Sequence, residues 1–293
     1  MYSQITSNKR QSVILVMVFI AIIIGLGYVF DMASGSGDYS GVFLAIILSF
    51  GMTMISYFQG DKIALWSSGA KPIAKEHSPY VYRMIENLCI TSGLPMPKIY
   101  IIEDPAINAF ATGRKPETAS VAVTTGAIEK LTNEELEGVL AHEMSHIQNY
   151  DIRFMMLVAV LVGSISILAN IFLRSRWLPR RNDREGGNLG AIFMIIGIVL
   201  AILSPIVAEL IKLAISRRRE YLADASGSLL TRYPEGLASA LEKIAAQSQP
   251  MANANNATAH LFFANPFSGK KISSFFSTHP PIEERIKKLR GMA

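Results

Sequence analysis

Residues 131–151, LTNEELEGVLAHEMSHIQNYD, decide how the rest of this 293-residue chain is read. Thr132 followed by Glu135 is a capping box, in which each side chain satisfies an unpaired backbone N–H at the start of a helix. The helix that it opens runs through Leu136, Val139, Leu140 and Ala141 into His142-Glu143-Met144-Ser145-His146. His142 and His146 are four residues apart and therefore share one helix face, a turn from each other. Two imidazoles so placed can hold one zinc ion at about 2.0–2.1 Å. Glu143 lies about 100° further round the helix. From there it reaches a coordinated water without being a ligand. Zinc lowers the pKa of such a water toward about 7, and a nearby carboxylate takes its proton. This is the chemistry behind the His-Glu-x-x-His pattern.

A catalytic zinc needs a third protein ligand and one open position. With Cys89 as the single cysteine and only five histidines, an intramolecular disulfide and a multi-cysteine zinc site are both excluded. No further histidine follows closely, because Ile147-Gln148-Asn149-Tyr150-Asp151-Ile152 comes next. The best candidate lies in Arg217-Arg218-Arg219-Glu220-Tyr221-Leu222-Ala223-Asp224. Glu220 would bind the metal. Asp224, four residues on, would accept a hydrogen bond from the far nitrogen of a ligating histidine and so fix its tautomer. The spacing alone also fits a solvated helix end whose arginines meet lipid phosphates.

Half of the chain (50%) is hydrophobic, only 17% is charged, and mean hydropathy is +0.31. A typical soluble domain carries about 25% charged residues, so the composition argues against a purely soluble protein and excludes a disordered one. The net charge of +5 suits an anionic membrane surface as well as nucleic acid. The apolar residues are concentrated in four uncharged runs, 13–30, 39–59, 154–173 and 189–208, each about long enough to cross a bilayer. The first two are joined by the short link 31–38, which has no Lys or Arg, and they form a helical hairpin. Lys9 and Arg10 before it, and Lys62, Lys71 and Lys75 after it, mark the cytoplasmic side. The first run, followed by Ala33-Ser34-Gly35, also has some features of a cleavable signal peptide, although it is longer than an ordinary signal core.

The second pair is less regular. Its connecting loop, 174–188, carries five arginines against Asp183 and Glu185, which opposes an outward location. A full hairpin, a partial one and helices packed on the soluble part all remain open. His142 and His146 precede this pair and Glu220 follows it, so one metal can be shared only if the pair crosses an even number of times or not at all. Between the runs, Pro97–Ile102 and Ala119–Thr124 read as strands, Phe110–Gly113 as an edge strand and turn, and Tyr80–Ser92 as an amphipathic helix with Cys89 as a buried small hydrophobe. Gln247–Ala259 reads as a loop. The expected organisation is an N-terminal transmembrane hairpin (1–60), the first part of a catalytic domain (61–153), a second apolar hairpin (154–208) and the second part of that domain (209–293).

These residues resemble the HtpX-type membrane zinc metallopeptidases of the gluzincin group, which also contains the CAAX-processing membrane protease. The likeness covers nearly the whole chain. It rests on Ile107-Asn108-Ala109-Phe110-Ala111-Thr112-Gly113, on His142-Glu143-Met144-Ser145-His146 with Asp151 five residues further, on Glu220-Tyr221-Leu222-Ala223-Asp224, and on Ser277-Thr278-His279-Pro280-Pro281. The resemblance implies a mainly α fold with a small β-sheet: integral-membrane helical hairpins carrying a zincin-like metalloprotease domain. It implies one Zn2+ per chain on His142, His146 and Glu220, with Glu143 as catalytic base and Asp224 and Asp151 as supports. It further implies His279 as a stabiliser of the oxyanion, and Asn108, Ala109 and Phe110 as an edge that pairs with extended substrate; a loop residue before Pro280-Pro281 is the other reading of His279, and ordinary packing beside a turn that of Asn108 and Phe110. The expected protein sits in the bacterial inner membrane with its site facing the cytoplasm, cleaves misfolded membrane proteins under stress, and binds no nucleic acid. The alternatives are a catalytically silent membrane adaptor and a narrow-specificity CAAX-type peptide protease.

Overall fold

The computed structural model describes residues 2–34, 38–175, 199, 217–247, 250–253, 258–267 and 280–292. Helices α1 (Tyr2–Ser34) and α2 (Ser40–Ser67) form the N-terminal hairpin. At 1.5 Å per residue both exceed the roughly 30 Å of a bilayer's hydrocarbon core. They pack closely because both surfaces carry glycine at the contact: a Cβ on Gly27 would lie 2.5 Å from the Gly41 carbonyl oxygen. Asp31 then accepts the N–H groups of Gly41 at 2.7 Å and Val42 at 2.9 Å, which satisfies two unpaired donors at the start of α2. The outward faces carry exposed Val13, Ile14, Met17, Phe43, Leu44, Ile47 and Phe50. An apolar surface of that extent needs a lipid or protein neighbour.

The rest is built round a four-stranded sheet of β1 (Lys71–Pro72), β2 (Lys98–Ile102), β3 (Ala109–Thr112) and β4 (Ser120–Thr124), in the order β1-β2-β4-β3. The β2–β4 pair is parallel and the others are antiparallel. Both central strands start one residue later than the sequence suggests. Pro97 has no N–H to enter a ladder, and the Ala119 N–H is used by the 3-10 turn Pro116–Thr118, bonding the Pro116 carbonyl. Strand β1 was not expected; it is two residues long and ends in proline, as an edge strand tolerates.

Strand β4 is buried on both faces. Val121 and Val123 face a core with α3 (Pro79–Ser92) and α5 (Asn133–Gln148), while Ala122 faces the other side. A short helix, α4 (Thr125–Lys130), leads from β4 toward α5. The capping box at Thr132 and Glu135 is formed. On α3, Val81, Met84, Ile85, Leu88 and Cys89 make the buried stripe, and Gly93, at φ 70°, ends the helix in the left-handed region. Burial pushes the Cys89 thiol up to about 11, as for a packing residue rather than a reactive one.

Helix α6 (Asp151–Ser175) joins the two halves of the molecule. Phe154, Met156, Leu157, Val158 and Leu161 pack with Leu15, Phe19 and Ile23 of the hairpin. Met155 and Ala159 face Ile102, Phe110 and Ala122 of the sheet. A helix apolar all round is one that is covered all round, and residues 154–159 are buried accordingly. Of the second expected hairpin, loop residues 176–188 and the run 189–208, apart from residue 199, lie outside the described residues. The chain is described again from α7 (Arg217–Thr231), through α8 (Pro234–Ala246), to α9 (Ile282–Arg290). In the expected loop 247–259, Ala259 starts a 3-10 turn, Ala259–Leu261, and the His260 ring of that turn lies 3.0 Å from the Met155 carbonyl of α6.

Candidate active site

Helix α5 enters the core at its C-terminal half, and every residue from Gly138 to Ile147 is buried. Helix α7 crosses it closely, because Gly227 faces α5 where a Cβ would come within 2.9 Å of the His142 nitrogen. That approach sets Glu220 and Asp224, on the same stripe as Gly227, against the two histidines. His142 Nε2 and His146 Nε2 are 3.1 Å apart. Glu220 places one carboxylate oxygen 3.8 Å from His142 Nε2 and the other 3.5 Å from His146 Nε2.

The opposite edges of both rings face carboxylates. His142 Nδ1 lies 2.9 Å from Asp224 Oδ1, and His146 Nδ1 lies 3.0 Å from Asp151 Oδ2. A carboxylate at Nδ1 calls for a proton there, which leaves each Nε2 with its lone pair pointed at the other. Two lone pairs and a carboxylate at one buried point favour a cation between them. The same preference shows in protonation. Burial works against charging His146, yet Asp151, Glu220 and Glu143 together lift it to about 9. Burial holds His142 down, at about 4. One ligand atom from each of His142, His146 and Glu220 lies within 4.8 Å of the other two. Ligands at about 2.0–2.1 Å in a tetrahedron sit roughly 3.3 Å apart, so the donor set fits zinc in both chemistry and spacing.

Glu143, next to His142 on α5, is 2% exposed, with its carboxylate receiving the Ala111 N–H of β3. Burial pushes it up to about 7, against the pull of His146 and Arg285. A carboxyl titrating there can both accept and return a proton at neutral pH.

The structure turns the side chains of the expected substrate edge inward. Asn108 donates from Nδ2 to the Ala264 carbonyl at 2.9 Å, and its Oδ1 accepts the Ala264 N–H at 3.1 Å. The Ala109 carbonyl accepts the Phe263 N–H at 2.8 Å. Phe110 packs edge-on against Phe262. The chain's own 263–264 segment thus occupies β3 at Asn108 and Ala109, so both residues serve internal pairing. Strand alternation directs the Ala111 N–H and carbonyl to that same outer edge, further along and beside Glu143. His279 lies outside the described residues.

Two residues absent from the sequence-based expectations complete the site. Arg285 of α9 is 1% exposed, grips Asp224 through two bonds of 2.9 and 2.7 Å, and stands 3.8 Å from Glu220. Burial alone would raise the Asp224 carboxyl, but Arg285 and His142 hold it below the ordinary range. Phe263 stacks edge-on to His142 at 4.9 Å and lies under the Arg285 guanidinium. The signal for Arg285 was present, since it interrupts the apolar stripe Ile282, Ile286, Leu289 of an otherwise amphipathic helix. Of the arginines at the start of α7, Arg217 and Arg218 are exposed as expected for a solvated helix end, whereas Arg219 is buried against Asp151 and Phe154.

Residues 75–293 match the family described as Peptidase family M48. The chain belongs to that family. It is 45% identical to a protease HtpX homolog of Caldanaerobacter subterraneus subsp. tengcongensis, over 100% of this chain and 98% of the relative. It is 40% identical to one of Streptococcus uberis, over 100% of both. A crystal structure of S. mikatae Ste24p matches 99% of this chain and 66% of that one, at 20% identity and a TM-score of 0.49. The family and these relatives make the chain an HtpX-type metallopeptidase, a peptide-bond hydrolase acting on protein substrates, with two helices long and apolar enough to cross a membrane, and M48 membership implies a metal. Asp224→Asn is expected to weaken zinc binding about 10–100-fold, as loss of a ligand's supporting carboxylate does. Competition against a chromophoric chelator measures it; unchanged affinity would mean that Asp224 serves Arg285 alone.

Proposed function

We propose that this chain is a zinc endopeptidase that cleaves misfolded or damaged membrane proteins from the cytoplasmic side of the inner membrane. The observation that carries the reading is the shared aim of His142 Nε2, His146 Nε2 and the Glu220 carboxylate at one buried point, with a carboxylate oxygen within 3.0 Å of each far ring nitrogen. Those three residues would hold one zinc ion. When bound, it supplies Lewis-acid polarisation of the scissile carbonyl and eases deprotonation of water.

The protein's own groups do the rest. Glu143 takes the proton from the attacking water and returns it to the leaving amine. Asp224 and Asp151 keep the histidines oriented. The Ala111 carbonyl, on the outer edge of β3 beyond the 263–264 pairing, receives extended substrate backbone, which reads main chain rather than side chains and suits a broad substrate range. By resemblance, His279 completes oxyanion stabilisation.

The cytoplasmic assignment draws on geometry and charge together. Asn8, near the start of α1, touches Asp151 beside the metal ligands, while Ala64 and Leu65, near the end of α2, pack against the sheet. Both polar ends of the hairpin therefore lie with the catalytic domain; those ends carry Lys9, Arg10 and Lys62, and Lys71 and Lys75 follow in the chain.

Detergent-purified full-length protein is expected to hydrolyse casein. A chelator should abolish this activity, and one equivalent of zinc should restore it. Hydrolysis persisting after the metal has been stripped and shown absent would overturn the reading.

A further inference from the structure

The first helix does more than anchor the chain. Its buried stripe, Leu15, Phe19 and Ile23, continues toward the N-terminus through Ser12 to Asn8, which is 1% exposed. Asn8 Nδ2 donates to the Asn149 carbonyl at 2.9 Å and to Asp151 Oδ1 at 2.5 Å. Both partners are acceptors, so the amide orientation is determined: the NH2 group faces the site. Asp151 uses its other oxygen on His146 Nδ1 at 3.0 Å.

Three residues further along the helix, Gln11 accepts a hydrogen bond from Arg219, the neighbour of Glu220; the Arg219 Nε lies 3.7 Å from the same Asp151 Oδ1. The turn thus held is a constrained one. Asn149 is the cap that follows α5, Tyr150 stands at φ 60°, and Asp151 starts α6. A non-glycine residue in that left-handed region costs free energy unless its surroundings hold it there. Asn8 pins the turn on both sides of Tyr150, and Lys9 lies 4.7 Å over the tyrosine ring.

We propose that Asn8 is a positioning residue for the metal centre: by holding Asp151, and through it His146, it makes the N-terminal end of the first transmembrane helix part of the zinc site. The inference rests on the zinc reading given above. It also requires α1 to stay on the mature chain, because cleavage near Ala33 would remove Asn8. The relay is directional. Losing the Asn8 donor takes from Asp151 Oδ1 its shortest partner and from the Asn149 carbonyl its side-chain bond, which loosens the constrained turn. Placing a carboxylate at position 8 sets like charge against Asp151 and lone pairs against the Asn149 carbonyl.

The test compares full-length wild type, Asn8→Ala, Asn8→Asp, Asn8→Ser and Ser12→Ala, all purified in detergent. Zinc affinity is read by competition with a chromophoric chelator, and ligand geometry by the visible spectrum of the cobalt-substituted protein. Asn8→Ala should bind zinc about tenfold more weakly, the low end of what outer-shell losses cost, with an altered cobalt spectrum. Asn8→Asp should be weaker still. Asn8→Ser keeps one donor and should stay within about threefold of wild type. Ser12→Ala, on the same buried stripe, should match wild type. Should Asn8→Asp fail to fold, the ratio between Asn8→Ala and Asn8→Ser decides. Wild-type affinity and spectrum in Asn8→Ala would overturn the proposal whatever its thermal midpoint, as would equal weakening by Ser12→Ala. A wild-type chain that binds no zinc would instead overturn the metal-site reading.

Discussion

Glu143→Gln is expected to lower casein turnover by about 10²–10⁴-fold, the usual contribution of a general base, while zinc content and KM stay near wild type. The argument is steric as well as chemical. Glutamine has the shape of glutamate, and its carbonyl oxygen can still accept the Ala111 N–H that Glu143 receives. The three ligand residues are untouched. What is lost is the capacity to take up a proton at a buried position where the carboxyl titrates near neutrality. A fall in kcat without a change in KM marks an interaction made only in the transition state. Turnover within tenfold of wild type would remove Glu143 from the mechanism and leave the base to be found elsewhere.

Arg285→Met is expected to have the largest effect on stability. Arg285 is the buried cation that pairs with Asp224 and approaches Glu220. Methionine fills much of the same volume but leaves these carboxylates without their partner. Breaking a buried pair from one side costs about 3–5 kcal/mol, which for a chain of this size is a drop of roughly 6–20 °C in thermal midpoint. The measurement belongs in excess chelator, so that metal loss contributes nothing to the difference. Arg285→Lys, which keeps the charge but loses the two-pronged grip, should fall between the two. A midpoint within 2 °C of wild type for Arg285→Met would show that the buried carboxylates are satisfied by other groups.

Much of this was legible in sequence where one local rule acts alone. The capping box and the i, i+4 histidines follow from helix geometry, and the structure places Thr132, Glu135, His142 and His146 on one helix. The hairpin was legible from length and apolarity. What escaped was set by tertiary contact. The stripe carrying Asn8 and Ser12 is uniformly buried, but from sequence Asn8 reads as one more polar residue before a membrane run. Arg285 interrupts the apolar stripe of α9, which marks it as unusual, but only the fold shows that stripe pressed on Asp224. At the Asn108–Phe110 edge the sequence left substrate pairing and ordinary packing both open, and only the fold shows the 263–264 segment, more than 150 residues on, pairing at Asn108 and Ala109. Glu220 is intermediate. Its spacing to Asp224 is helical, but nothing local says which helix α7 will meet, and Gly227 determines the closeness of that contact only once α5 lies against it.

The central claim is the identity of the three ligands. X-ray absorption at the zinc edge of the purified, zinc-loaded protein tests it most directly. The account predicts one zinc per chain, a first shell of nitrogen and oxygen at about 2.0–2.1 Å, and outer-shell scattering from two imidazoles. A sulfur scatterer at about 2.3 Å, a third imidazole, or a spectrum unchanged in Glu220→Ala would contradict it.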